Sequence, residues 1–257
     1  MKHKKNLIIT LILVFICVLS FFIKLMFYCV DPTVSRDGIN YIELVEEWQK
    51  DNKLPVVHKP RTISPPPLYL FLVKELSSFG FSVKHSGIAL NIILGALIPL
   101  ILFGIVNEIT NNVFWAWCTM LFAVFHPALN ELSIQFQRDI AYLFFSALML
   151  WTICKGINKK NNFFFLCSGL FAGMAFLVRY EAIELLAIAL IFIIVAQINH
   201  KIEIKSKGLI YLAFFTLSFV VTVIFLNGLM GTSDYIHKSI LEYKKEKITI
   251  PNSIQST

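Results

Sequence analysis

Charge is scarce in this sequence. Only 15% of its 257 residues are Asp, Glu, Lys or Arg, against 57% hydrophobic, where a soluble domain carries about a quarter charged residues. Together with a mean hydropathy of +0.71, that scarcity excludes a chain that lives wholly in water. Several signatures are missing as well. There is no Walker loop, GxSxG elbow, dinucleotide fingerprint or HExxH pair, so nucleotide, serine-hydrolase and zinc-protease chemistry of those kinds is not expected. Cysteine is sparse: Cys17, Cys118 and Cys167 fall inside apolar segments, Cys154 at the end of one and Cys29 at a boundary. No paired spacing suggests a disulfide framework or a cysteine zinc site, and packing is their expected role. The histidines are scattered without i, i+4 partners, so no metal site is expected; no cofactor is expected either, and a divalent cation is left open. No internal repeat or low-complexity tract is present.

What the sequence does have is apolar blocks of about 20 residues, the length that carries an α-helix across roughly 30 Å of hydrocarbon. The first follows MKHKK and is too long for a secretory h-region, with no small-residue cleavage site after it, which reads as a retained helix. Lys24, near its far end, is expected to snorkel to the interface. Further spans are expected at 86–106, 113–130, 140–156, 162–178, 182–198 and 208–227. The fold class is therefore all-α: a polytopic membrane helical bundle of about seven spans. The connections KGINKKNN and QINHKIEIKSK are rich in lysine and fall on the same side as the amino terminus, so the positive-inside rule puts that side in the cytoplasm of a cell membrane. The net charge of +7 is then matched to anionic lipid rather than nucleic acid, for which no recognition module is legible. Residues 1–227 form one membrane domain, 28–85 its long external loop, and 228–257 a polar tail expected outside.

Chemistry is expected in that loop and at the helix ends facing the same way. Between Asp31 and Tyr69 lies the longest polar island before the tail. Within it Tyr41, Ile42, Val45 and Trp48 follow helical spacing opposite Glu43, Glu46, Glu47 and Lys50, the pattern of an amphipathic helix lying along the bilayer. The extended VVHKPRTI and the triplet Pro65, Pro66 and Pro67 lead from it into LYLFLVKELSSFGF, a helix too short to span. Asp37, just before the amphipathic helix, is either a catalytic base or an N-cap. A second cluster, Arg138 and Asp139, opens an apolar run; neighbouring helical residues diverge, so the two are not simply each other's ion pair. The alternative for both is solvation by headgroups. In a third, Arg179, Glu181 and Glu184 crowd a short turn between two spans, as a site or as an interfacial ion pair. Gly169 and Gly173, four apart, read as a close helix contact.

SRDGINYIELVEEW, SPPPLYLFLVKEL, QFQRDIAYLFFSALMLW and GLFAGMAFLVRYEA, in that order, resemble the GT-C glycosyltransferases of the dolichyl-phosphate-mannose-protein mannosyltransferase and aminoarabinose transferase type, over roughly residues 1–200. The resemblance implies transfer of a sugar from a polyprenyl-phosphate donor to a lipid, glycan or protein acceptor at the outer face, with inversion. It implies Asp37 as the base that deprotonates the acceptor, Arg179 with Arg138 on the lipid phosphate, and Asp139 orienting Arg138, the acceptor or a cation. Tyr41 and Glu181 are counted with the substrate-binding residues. Members of that family usually run through further spans and often an external domain, so a partner subunit supplying the missing spans is an expectation too. Two rivals stand beside this reading: a non-catalytic accessory or scaffold subunit of a cell-envelope glycan pathway, and a transporter, disfavoured because few ionisable residues lie inside the spans.

Overall fold

In the computed structural model residues 2–30, 34–55, 65–198 and 205–232 are described, and every regular element among them is helical. The VVHKPRTI stretch, His58 within it, and the tail beyond Thr232 lie outside the described residues. The order is α1 Lys2–Val30, α2 Arg36–Asp51, α3 Pro67–Ser77, α4 Val83–Thr110, α5 Val113–Phe125, α6 Pro127–Ile134, α7 Asp139–Lys159, α8 Asn162–Val178, a 3-10 turn Tyr180–Ile183, α9 Glu184–Ile198 and α10 Lys205–Leu229. The chain is a polytopic helical bundle.

Helices occupy all the expected apolar segments, yet fewer than seven are built as full spans. Among the described residues five are long and apolar enough to cross a membrane, or up to six if the bent pair α5 and α6 is one span. That pair bends by 52° at His126 and Pro127. Pro127 is the first residue of α6, where its missing N–H costs nothing, and His126 caps the new helix through its ring. The segment α8 has only 17 residues, and its apolar face is covered by protein.

Short turns at one end reverse the chain in the same way twice. Asn111 (φ 51°) ends α4 in the left-handed region and Asn112 then caps α5, its side chain accepting from Phe114 N. Lys160 (φ 50°) ends α7 and Asn161 caps α8 by accepting from Phe163 N. Inside the bundle α4 packs on α1, α5 and α7, α7 on α8, and α8 on α10. A Cβ added at Gly169 would lie 2.2 Å from Phe215 O, so the α8–α10 contact needs glycine there, as the spacing predicts.

Two expectations fail here for packing reasons. Lys24 does not snorkel: it is 0% exposed, its ammonium donating to Asn130 Oδ1 at 2.8 Å and Ser20 Oγ at 3.2 Å. Asn130 in turn donates to Val124 O, a carbonyl at the break between α5 and α6. The apolar face of α2 lies against protein instead of lipid. Leu44, Val45 and Trp48 are buried, Trp48 packs on Phe71 of α3 at 6.0 Å, and Gln49 donates to Ser77 Oγ at 2.7 Å.

Candidate functional site

At the end of the bundle opposite the two asparagine turns, α2, the α6–α7 junction and the α8–α9 junction converge. Ser35 begins α2; its Oγ accepts from Gly38 N at 3.1 Å. The N-cap is therefore Ser35 and not Asp37, which stands in the first turn with its side chain exposed. Among the described residues the Asp37 carboxylate makes no hydrogen bond or ion pair.

A buried ring sets how close α2 comes to α7. Phe136 is fully buried between two glycines: a Cβ at Gly38 would lie 2.6 Å from Phe136 O, and one at Gly87 of α4 would lie 1.9 Å from Phe136 Cε2. Nothing larger than glycine fits at Gly87 unless the ring moves, or at Gly38 unless the Phe136 backbone moves. Because only Gln137 separates Phe136 from Arg138, this contact fixes where α7 begins relative to α2. Edge-on packing extends it, from Phe136 to Tyr69 at 5.9 Å and from Tyr69 to Tyr41 at 6.3 Å.

The charges meet above that aromatic stack. Arg138 holds the N-cap position of α7 without a side-chain cap, and Asp139 stands in the first turn. Arg179 ends α8 in an extended conformation (φ −145°, ψ 125°), which swings its side chain out of the helix toward α7. Its Nη1 donates to Asp139 Oδ1 in a short charge-assisted hydrogen bond. Its Nε lies 3.6 Å from Glu181 Oε2, an ionic contact longer than a hydrogen bond. The guanidinium also lies over the Tyr142 ring at 5.5 Å, while the Tyr142 hydroxyl donates to Glu184 Oε1 at 2.7 Å. Asp139 therefore orients Arg179 rather than Arg138, and Glu181 and Glu184 divide between two partners. Arg179 Nε and the Tyr180 hydroxyl are buried without a hydrogen-bond partner among the described residues.

Tyr41 reports how near these groups are. Burial pushes its hydroxyl above the ordinary tyrosine value; Arg138 opposes that, Asp37 and Asp139 add to it, and Arg179 opposes it. One phenol thus senses the charges of all three segments and stays a neutral hydrogen-bond donor at neutral pH. Every expected site residue lies in this cluster: Asp37 and Tyr41 from α2, Arg138 and Asp139 from α7, Arg179 and Glu181 from the turn after α8. Sequence reading missed Phe136, Tyr69 and Tyr142, which look like ordinary apolar-run aromatics until the fold brings them under the charges. Among the described residues no three His, Cys, Asp or Glu side chains gather as a metal-ligand set.

A protein-family profile described as dolichyl-phosphate-mannose-protein mannosyltransferase matches residues 64–225, well over half of the chain. The chain belongs to that family. Membership of the mannosyltransferase family makes it a membrane glycosyltransferase of the GT-C type, with a lipid-phosphate sugar donor in general terms. The family match includes Arg138, Asp139, Arg179 and Glu181 and begins after Asp37 and Tyr41. No curated protein and no solved structure matches the chain.

Proposed function

We propose that this chain moves a sugar from a polyprenyl-phosphate donor to a lipid, glycan or protein acceptor at the outer face of the cell membrane, with inversion. The observation that carries the reading is the convergence around Tyr41: Asp37, exposed and without a partner among the described residues, and two arginines from distant segments all lie near enough to act on that one hydroxyl. In this reaction Asp37 takes the proton from the acceptor hydroxyl or amine as it attacks the anomeric carbon. The bond from that carbon to the phosphate oxygen breaks on the opposite face, and its electron pair leaves with the polyprenyl phosphate. Arg179 and Arg138 balance the charge that develops there, Asp139 holding Arg179 in place. The Nε–H of Arg179 and the Tyr180 hydroxyl, neither hydrogen-bonded among the described residues, supply donors for phosphate oxygens. A phosphate leaves readily, so no strong general acid is required.

Two further features support this reading. An apolar cavity of about 500 Å³ opens at the same end of the bundle between α1, α3 and α4, lined by Leu25, Tyr28, Leu76, Phe81, Ile88 and Ile92, which suits an isoprenoid chain. Lys155, Lys159 and Lys160 cluster at the opposite end, which by the positive-inside rule supports the reading of that end and the amino terminus as cytoplasmic. The accessory-subunit reading draws on a different observation: the Arg179 charge is already balanced by Asp139 and Glu181.

Sugar transfer from polyprenyl-phosphate donors to membrane acceptors, measured with the native chain and Asp37→Asn at matched abundance, separates the two. We expect transfer by the native chain and a loss of about 10²–10⁴-fold in the variant. Transfer by neither would favour the accessory role, and equal transfer by both would remove Asp37 from the centre.

A further inference from the structure

Beneath the site lies a polar residue that the proposed reaction does not use. Asn91, on the fourth helix, is 0% exposed in a segment that is otherwise almost wholly apolar. Its Nδ2 donates to Gln135 O and to Gln137 O, each at 2.7 Å. Gln137 N donates back to Gln135 O at 2.9 Å, so residues 135–137 form a tight turn around Phe136 whose two outer carbonyls both point at one amide nitrogen. A primary amide is the uncharged side chain that offers two N–H groups from a single atom. Serine and threonine offer one donor, an ionised aspartate none. The amide also neighbours the Tyr69 hydroxyl, though neither that hydroxyl nor Asn91 Oδ1 is hydrogen-bonded among the described residues.

We propose that Asn91 is the positioning residue of the site: by clamping the carbonyls of Gln135 and Gln137 it fixes the turn that presents Arg138 and Asp139 to Arg179 and Asp37. The assignment rests on the reading of Arg138 and Asp139 as site residues. The clamp acts through backbone, so it sets where α7 starts and touches neither sugar nor phosphate. Without it the turn keeps the ring of Phe136 in its glycine slot but loses the partner of the Gln137 carbonyl, the last carbonyl before Arg138.

The test uses the full chain in lipid nanodiscs, native and with Asn91→Leu or the isosteric Asn91→Asp, which retains the fold if the leucine variant aggregates. Hydrogen exchange read by mass spectrometry should rise at least about tenfold at the amides of residues 136–139 while α8 and α10 keep native protection. Sugar transfer should fall through kcat with the donor KM within about threefold, and Asn91→Asp should cost little more in an Asp139→Asn background, because residues acting as a unit are not additive. Unchanged exchange at 136–139, a uniform rise across the bundle, or full additivity with Asp139→Asn would each overturn the assignment. If the native chain transfers no sugar, the glycosyltransferase reading falls while the exchange measurement still decides whether Asn91 holds the turn.

Discussion

Two cations in this molecule face the membrane problem in opposite ways, Lys24 in the first helix and Arg179 at the end of the eighth. Lys24 is 0% exposed and, among the described residues, has no carboxylate partner, only the dipoles of Ser20 and Asn130. Arg179 keeps 32% of its side chain accessible, with Asp139 at 37% and Glu181 at 61%. The lysine is therefore a packing element whose charge must be solvated by protein, because burial without partners is expensive. The arginine belongs to a half-wet cluster where water and headgroups share the electrostatic load, which leaves its stability contribution small and its geometry free to serve a ligand. Burial, and not charge, separates structure from chemistry here.

Substitutions can break that contrast, and the largest effect is expected at the buried end. Asn130→Leu leaves the Lys24 ammonium with Ser20 alone and frees the Val124 carbonyl at the helix break, which should destabilise by about 3–5 kcal/mol in thermal unfolding in detergent. Adding Lys24→Met should recover most of the loss, since a buried polar pair replaced by apolar groups of like shape is nearly neutral. If the double variant is no better than Asn130→Leu alone, Lys24 is not solvated by Asn130 in the way described. Gly87→Ala comes next. The added methyl meets the Phe136 ring, and overpacking of this kind costs about 1–3 kcal/mol, with sugar transfer falling as the α2–α7 spacing opens. Native stability together with native transfer would show the ring to be mobile. Smallest in stability is Asp139→Asn, expected to cost no more than about 1 kcal/mol for a partly exposed pair, yet to reduce transfer at least tenfold by releasing Arg179. A large stability loss with unimpaired transfer would make the Asp139–Arg179 pair a structural bridge and return the arginine to the same class as Lys24.

Hydropathy made most of the fold legible, because apolar blocks near 20 residues have few other uses. The misread parts are those where length and composition stay the same while geometry changes. Pro127 sits inside an apolar run and looks tolerated, but as a first helical residue it begins a new axis after His126. The apolar stripe of α2 fits a bilayer surface and a protein surface equally, and only the position of α3 decides which it meets. At the site, each charged cluster was visible as charge beside an apolar run. Their pairing was not, since Arg179 and Asp139 are 40 residues apart and the contact depends on an extended residue at the end of α8. Ser35 and Asp37 are both good caps two positions apart, and local sequence does not choose between them. Asn91 left no signal beyond being polar in an apolar helix.

The bond from Lys24 to Asn130 also sets a schedule for biosynthesis. The two residues are 106 positions apart, and a ribosome adds about 5–20 residues per second. For roughly 5–20 s, then, the first helix sits in the bilayer with its lysine and without the asparagine that solvates it. During that interval Lys24 reaches for the interface, the behaviour its sequence position suggests, and it withdraws inward only when α6 is inserted. The first helix thus settles only after the sixth, and its final depth is decided by a residue from the middle of the chain.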